Sequence, residues 1–540
     1  MSGDWARHLI IVPVLLPLVA GAAILLLKER HALAKRVAAL GTATVLLGVS
    51  ILLLVQVASA GFAGHRATTA YLVGDWPAPF GIVLVLDWLS ALMLALTSTL
   101  GLTSLIYATA RWDRAGPRFH SLFLFQLMGL NGAFLTGDLF NLFVFFEVLL
   151  AASFGLLLHG SGKARIKAAL HYVAINVATS LLFLIGAALV YGVTGTLNMA
   201  DLTDRIPAAG ADDLAILQSG MAVLGIAFLV KAGMYPLGFW LSRTYSAAAP
   251  PVAALFAILS KVGVYALLRV YLLLFGGDDG GAANFGEEWL LFGGMATIVY
   301  GMIGVLAVRT LKRMAGYSLI ISAGTLLAAV GAGQGDVLAG ALFYLVSSTL
   351  GVSAFYLLIE LIERREYDPL IAGEPVFDDE YAGAPDELET EVGVVIPATL
   401  AIIGGGFAFC ALLIAGLPPL SGFISKFAMI DGLLNLGQTV PPTSWLLIAL
   451  IIGSGLAILV ATSRAGIDLI WGPSDMPTPA LRVSEAVPVG LLLAVCLGLM
   501  VFAGPVMRYM ERTGQSLADR KGYVEAVLRV SRTQARADRP

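Results

Sequence analysis

Charge is scarce in this 540-residue chain: only 13% of its residues are Asp, Glu, Lys or Arg, and these nearly cancel to a net charge of -3. No basic excess is left for nucleic acid. Cysteine is scarcer still. Cys410 and Cys496 are the only two, both inside apolar runs, and they form none of the close spacings of a disulfide scaffold, a zinc site or an iron–sulfur cluster. They read as packing residues. All six His precede Tyr172 and sit near the ends of apolar runs, so there is no His pair for a haem, and no Gly-rich phosphate loop stands in a βαβ setting. No cofactor and no metal are expected, and direct redox catalysis is disfavoured.

What is abundant is apolar surface. Hydrophobic residues make up 58% of the chain and the mean hydropathy is +0.87, more than a single soluble core can absorb. The solvent for this surface is a lipid bilayer, which a helix of roughly 20 apolar residues spans. Apolar runs begin at Leu9, Val37, Phe80, Ser121, Leu139, Ala168, Met221, Val252, Trp289, Met314, Val337, Val394, Trp445 and Ala486, about fourteen spans on a hydropathy reading. The first, Leu9 to Leu27, is too long for a cleaved signal peptide and reads as a transmembrane helix. The runs are apolar on every face, whereas outer-membrane barrel strands alternate. The fold class is therefore an all-α, multi-pass membrane protein.

Linkers are short except for a Pro- and acid-rich stretch from Glu363 to Glu391, which reads as partly disordered. Cytoplasmic loops carry the excess of Lys and Arg. The linkers holding Lys28, Arg30, Lys35 and Arg36, then Arg111, Arg114 and Arg118, then Lys163, Arg165 and Lys167, then Arg309, Lys312 and Arg313 all fall on one side. That side is assigned to the cytoplasm, with both termini outward. The Arg-rich tail after Arg508 strains this assignment, unless a span is miscounted or the tail binds a partner or lipid head groups.

Four cations remain inside apolar runs: Lys231, Lys261, Arg269 and Lys426. A Lys at a helix centre costs about 2.5–3.5 kcal/mol on insertion scales, and such residues mark ion pathways, relays or paired sites. Glu147 is the acidic counterpart, and counting along the helices at roughly 1.5 Å per residue puts Glu147, Lys231 and Lys261 near mid-membrane. A buried acid and buried amines at one depth can form a relay; the structural alternative is a charge pair that only locks helices together. Arg269, near the outer end of its span, can snorkel to the interface, and Asp87 reads as a helix-packing or interface residue.

Two runs are broken. Gly233 and Pro236 interrupt the one around Lys231, and Pro418 and Pro419 the one around Lys426. Proline removes a backbone donor and clashes with the preceding turn, so such breaks are tolerated in lipid mainly where they line a cavity. A broken helix in each half, beside a buried Lys both times, is the pattern of a transporter built from two repeats.

Three segments carry a family resemblance: Lys231-Ala-Gly-Met-Tyr-Pro-Leu-Gly-Phe-Trp-Leu, then Leu259-Ser-Lys-Val-Gly-Val-Tyr-Ala-Leu-Leu-Arg269, and Gly137-Asp-Leu-Phe-Asn-Leu-Phe-Val-Phe-Phe-Glu147. With these the chain resembles the antiporter-like subunits shared by respiratory complex I, membrane-bound hydrogenases and Mrp-type Na+/H+ antiporters, and among them the Mrp D-type subunit. The resemblance implies about fourteen helices in two inverted five-helix repeats, with the seventh and twelfth helices broken. Residues 1-118 then form helices one to three, 119-275 the first repeat, and 288-464 the second, with an acidic loop at 363-392. The last helix spans 484-507 and a charged tail 508-540. The resemblance also implies roles: Glu147 with Lys231 as the paired control site, Lys261 as central relay, and Lys426 near the outer exit. It implies work beside partner subunits of the A, B, C, E, F and G types in a bacterial inner membrane, exchanging Na+ for protons, with no enzymatic chemistry of its own.

The chain departs from that pattern at Gly238 and Ser322, where complex I subunits often carry His, and around Val352, where they carry Lys. The route from Lys261 to Lys426 must therefore lean on water, Ser318, Ser322, Ser347, Ser348 and Tyr344. Two other readings are a proton-pumping membrane subunit of complex I or a hydrogenase, driven by redox chemistry elsewhere, and a structural subunit whose buried charges only hold helices together.

Overall fold

A computed structural model describes residues 5–28, 31–275, 285–333, 335–363, 398–436, 439–470 and 481–530. The acidic loop, Arg30 and the last residues of the tail lie outside them. The described chain is almost wholly helical. In order come α1 Trp5–His8, α2 Val12–Leu26, α3 Ala32–Phe62, a hairpin of β1 Thr69–Leu72 and β2 Val83–Leu86, α4 Trp88–Ala108, α5 Phe119–Leu135, α6 Leu139–Leu158, α7 Lys163–Thr194, α8 Met199–Arg205 and α9 Ala211–Ala232. Then follow α10 Phe239–Ala247, α11 Pro250–Phe275, α12 Glu287–Ala307, α13 Leu311–Ala332, α14 Asp336–Glu363, α15 Ala398–Ala415, α16 Ser421–Leu434, α17 Pro442–Ile470, α18 Val483–Val501, α19 Ala503–Ala518 and α20 Arg520–Leu528. Among the described residues, eleven helices are long and apolar enough to cross a membrane, and Val12–Leu26, Phe119–Leu135 and Thr399–Ala415 are shorter apolar helices.

Burial separates centre from periphery. The most apolar stretch of α14 is 100% buried and those of α11 and α13 are 94% buried, against 39% for α3, α7 and α9. The peripheral helices turn Leu, Ile and Val outward, as lipid requires, while α11, α13 and α14 form a central spine. Polar side chains on that spine have only protein around them, so they must pair with each other or with backbone.

The cation-rich linkers meet at one end of the bundle. Arg36 reaches Asp113 at 2.6 Å, Lys312 reaches Glu363 at 2.5 Å, Arg165 donates to the Ala247 carbonyl at 3.0 Å and Arg482 to the Ala110 carbonyl at 2.7 Å. At the opposite end lie the hairpin, with Thr69 opposite Leu86 and Leu72 opposite Val83, and the C-terminal helices. The final span ends at Val501, short of the expected 507, and α19 turns aside as an amphipathic helix burying Tyr509, Met510, Thr513 and Leu517. The described part of the tail binds its own chain: Arg520 donates to the Leu273 carbonyl at 2.8 Å and so caps α11.

Both broken helices stop in the same way. At the end of α9, Gly233 takes a left-handed φ of 80°, and the Met234 N–H returns to the Leu229 carbonyl at 3.1 Å. After α15, Gly416 has a φ of 79°, and the Leu417 N–H returns to the Leu412 carbonyl at 3.0 Å. This is the glycine C-cap in which a reversed turn satisfies the last carbonyls, with Pro236 and Pro419 then preventing continuation.

Candidate functional site

Glu147 lies midway along α6, in a wall of rings. Phe146, Phe183 and Phe228 pack edge-on with centroids 5.5–6.3 Å apart. Ser180 of α7 donates a short hydrogen bond to the Glu147 carboxylate. Lys231, in the last turn of α9, donates to Asn176 Oδ1 at 3.3 Å, and its Nζ sits 4.8 Å from the Phe146 ring centre, a cation–π distance. Glu147 and Lys231 are near enough for their charges to interact, but neither bonds the other. Each is held instead by a neutral side chain of α7. Asn176 and Ser180, one turn apart, therefore separate the acid from the amine, and a sequence reading centred on charges passes over both. Their signal is a pair of hydrogen-bonding side chains at i and i+4, on one face of a largely apolar run.

Beside Lys231 is a cavity of about 20 Å³ lined by Tyr172, Asn176, Trp240, Tyr245 and Val262, enough for one water on the rough minimum of 10–15 Å³. Among the described residues the Tyr245 hydroxyl and Trp240 Nε1 have no hydrogen-bond partner, and Tyr172 shares a 2.7 Å hydrogen bond with Ser153. Glycine brings the next element close: a Cβ on Gly263 of α11 would fall 2.4 Å from the Ala232 nitrogen and 2.8 Å from the Lys231 carbonyl carbon. The helices bearing Lys231 and Lys261 thus cross in backbone contact.

Lys261 is fully buried and donates to Ser322 Oγ of α13 at 2.7 Å. Ser322 and Ser348 of α14 are 2.9 Å apart, and the Tyr344 hydroxyl neighbours Ser322 and Thr325. On the adjacent face of α14, Ser347 pairs at 2.8 Å with Ser421, the first residue of α16 after the second break. Lys426 follows on α16, buried, with Nζ 3.0 Å from the Ala415 carbonyl that ends α15. The expected serines are therefore brought together, with one exception. Ser318 donates at 3.0 Å to Met314 of its own helix, a local bond that commits its proton to backbone, and it stands apart from the others. Ser421 escapes a sequence reading, because a serine beside Pro-Pro looks like turn chemistry.

Gly238 explains one departure from the family pattern. A Cβ there would lie 1.9 Å from the Gly233 carbonyl oxygen, so this tightly folded break excludes His or any other side chain. Val352 is fully buried and apolar.

Arg269 and Asp87 correct the sequence reading. Arg269 does not snorkel; it is buried, and its guanidinium grips Asp87 at 2.5 and 2.9 Å while donating to the Tyr265 hydroxyl at 3.2 Å. Asp87 takes the helix-packing side of its reading and not the interface one, since it is buried and ties the start of α4 to Arg269 of α11. It caps α4, accepting from the Ser90 N–H at 2.9 Å.

Residues 136–456 match the family described as NADH:quinone oxidoreductase/Mrp antiporter, transmembrane region. Among curated proteins the chain is 51% identical to one from Rhizobium meliloti named as the D-type subunit of a probable K+/H+ antiporter, over 98% of this chain and 99% of that protein. It is 32% identical to the D-type subunit of an Na+/H+ antiporter from Alkalihalophilus pseudofirmus, over 97% and 100%. Among solved structures it resembles a chain of the Mrp complex from Dietzia sp. DQ12-45-1b, with 26% identity, a TM-score of 0.77 and coverage of 97% and 100%. A chain of an archaeal membrane-bound sulfane sulfur reductase shares the fold at 22% identity, with a TM-score of 0.81 and coverage of 97% and 100%.

Proposed function

Because this chain belongs to the NADH:quinone oxidoreductase/Mrp antiporter family, as a D-type subunit of a multisubunit monovalent cation/proton antiporter in the bacterial cell membrane, we propose that it moves protons along Glu147, Lys231, Lys261 and Lys426. It is a transporter subunit rather than an enzyme. The carrying observation is the run of hydroxyls between the last two amines: Lys261 to Ser322 at 2.7 Å, Ser322 to Ser348 at 2.9 Å, and Ser347 to Ser421 at 2.8 Å ahead of Lys426. A hydroxyl donates one proton and accepts through two lone pairs, so these hydroxyl pairs, with water joining Ser348 to Ser347 and Ser421 to Lys426, would pass a proton without holding a charge in the hydrocarbon core. Lysines at its ends supply the groups that load and release.

The same reading treats α9 with α10, and α15 with α16, as single broken spans within two five-helix repeats over about 119–275 and 288–464. Support comes from the shared local structure of the breaks, each a left-handed Gly followed by an N–H returning to the helix. In each case a lysine of the route adjoins the broken end. The cation is a monovalent ion, K+ or Na+ by the relatives' names. No partner-free activity is expected, since those relatives are subunits.

The test is cation-driven proton flux by the whole complex in proteoliposomes, with K+ and Na+ tried separately. Lys261→Ala should abolish flux in an assembled complex. Wild-type flux in that variant removes Lys261 from the route.

A further inference from the structure

We propose that Arg269 and Asp87 form a proton stop above Lys261, which closes an outward branch and commits the proton to the lateral serine route; this rests on the proposed role of Lys261. Lys261, Tyr265 and Arg269 occupy positions i, i+4 and i+8 of α11, on successive turns of one side. At roughly 1.5 Å per residue they climb about 12 Å from the centre of the bundle toward its outer end. All three are buried, so the stripe is a ready-made ladder of polar groups leading straight out from the central amine. A proton taking it would leave without passing Ser322, Ser348 or Lys426, and the proton gradient would be dissipated without moving a cation.

The chemistry at the top of the ladder prevents this. The Tyr265 hydroxyl donates its only proton to the Phe134 carbonyl at 2.7 Å and accepts from Arg269 at 3.2 Å, so its proton is fixed on a backbone oxygen. The guanidinium has five donors, no acceptor, and stays protonated. It cannot receive a proton from below, and its positive charge repels one. Asp87, the acceptor beyond it, spends both oxygens on Arg269 and one also on the Ser90 N–H. A selectivity barrier of this kind, a fixed Arg across a polar path, excludes protons in other membrane pores.

The C-terminal helices hold the stop closed. The Tyr523 ring of α20 lies 5.6 Å from the Arg269 guanidinium on the outer side. α19 is pinned by the Tyr509 hydroxyl donating to the Trp88 carbonyl at 2.8 Å, and α20 by Arg520 on the end of α11 and by Arg66 reaching Glu525 at 2.5 Å. Water is thereby kept from the ion pair, which otherwise would hydrate and carry protons itself.

The experiment follows passive decay of an imposed pH gradient in proteoliposomes of the whole complex, in choline buffer free of Na+ and K+, with thiocyanate as permeant counter-ion. Arg269→Gln should raise the proton leak several-fold over wild type, and adding Lys261→Ala or Tyr265→Phe should remove the rise. An assembled Arg269→Gln complex with no added leak overturns the proposal. So does a leak that survives Lys261→Ala, since it then does not rise from Lys261. If the single variant fails to assemble, the pair Asp87→Asn with Arg269→Gln, which leaves no unpaired buried charge, decides by the same measurement. Coupled flux by Lys261→Ala alone judges the role of Lys261, so the two readings fail separately.

Discussion

Lys426 closes the broken helix that precedes it: its Nζ donates at 3.0 Å to the carbonyl of Ala415, the last residue of α15. A cation at a helix C-terminus is stabilised by the carbonyls left free there. On the proposed route the lysine therefore has two separable roles, cap and carrier. Lys426→Gln should keep the cap, since an amide N–H can donate to Ala415, and lose proton carriage. Lys426→Ala should lose both. The expected outcome is cation-driven flux near zero in both variants, with the thermal midpoint of the complex lowered only in Lys426→Ala. Wild-type flux in Lys426→Gln removes the residue from the pathway.

The serines give a paired comparison. Ser348 of α14 pairs with Ser322 of α13, the partner of Lys261, whereas Ser318 is bonded to Met314 within its own helix. Ser348→Ala should reduce flux about tenfold, the loss of roughly 1.4 kcal/mol of barrier lowering, while Ser318→Ala should transport as wild type. Equal flux in the two variants counts against a route through Ser322 and Ser348.

Much of this arrangement is legible in the sequence, because lipid punishes exceptions. A lysine in an apolar run, or a Gly-x-x-Pro inside a span, has few inexpensive explanations; Lys261 and Lys426 are buried, and the helices end at Gly233 and Gly416, ahead of Pro236 and Pro419. What stays hidden depends on partners far along the chain. Asp87 and Arg269 are separated by 182 residues, so Arg269 alone looks like a residue that wets its head at the interface, and Asp87 alone gives no sign of its partner. Ser318 and Ser322, one turn apart, are indistinguishable in sequence, yet only Ser322 meets Lys261. The tail shows the same limit: composition reveals its charge but not that Arg520 caps α11.

Gly238 tests the geometry of the first break. With a Cβ 1.9 Å from the Gly233 oxygen, Gly238→Ala cannot fit unless the turn between α9 and α10 opens. Core overpacking of this kind typically costs about 1–3 kcal/mol. The variant should assemble with a lower thermal midpoint and lose flux, because Lys231 sits on the last turn before the break. An Ala variant with normal melting and normal flux means that the turn relaxes freely.

At the end of the bundle where the cation-rich linkers meet, burial by itself would raise the Asp113 carboxyl, but the His120 ring 3.6 Å away and the hydrogen-bonded Arg36 guanidinium outweigh it and hold the group below the ordinary carboxylate range. A carboxyl lowered in the folded state stabilises at all pH values above its unfolded pKa, about 3.9, and loses that contribution as pH falls through the lower folded value. The difference in thermal midpoint between wild type and Asp113→Asn should therefore be flat from neutral pH down to about 5 and shrink only below about 4. A difference that shrinks between pH 7 and 6 instead assigns the effect to a histidine.

The mechanism rests most heavily on Glu147 and Lys231. Each is held by a neutral partner on α7, Ser180 for the carboxylate and Asn176 for the amine, with no direct bond between the charges. A carboxylate favours the protonated form of a neighbouring amine in proportion to its closeness, and one pKa unit corresponds to about 1.4 kcal/mol. A small displacement of α6 or α9 relative to α7 would thus change whether Lys231 keeps its proton. Glu147→Gln preserves shape and the hydrogen bond from Ser180 but removes the charge, so it should abolish cation-driven flux in a normally assembled complex. Lys231→Ala should do the same. Ser180→Ala frees the carboxylate to approach Lys231 and should instead leave flux measurable but slower, as the proton is released less readily. Reconstitution of each variant with all partner subunits, after assembly is checked, measures the three rates. Wild-type flux in Glu147→Gln would make Glu147 a packing residue, and the control of Lys231 would have to come from elsewhere.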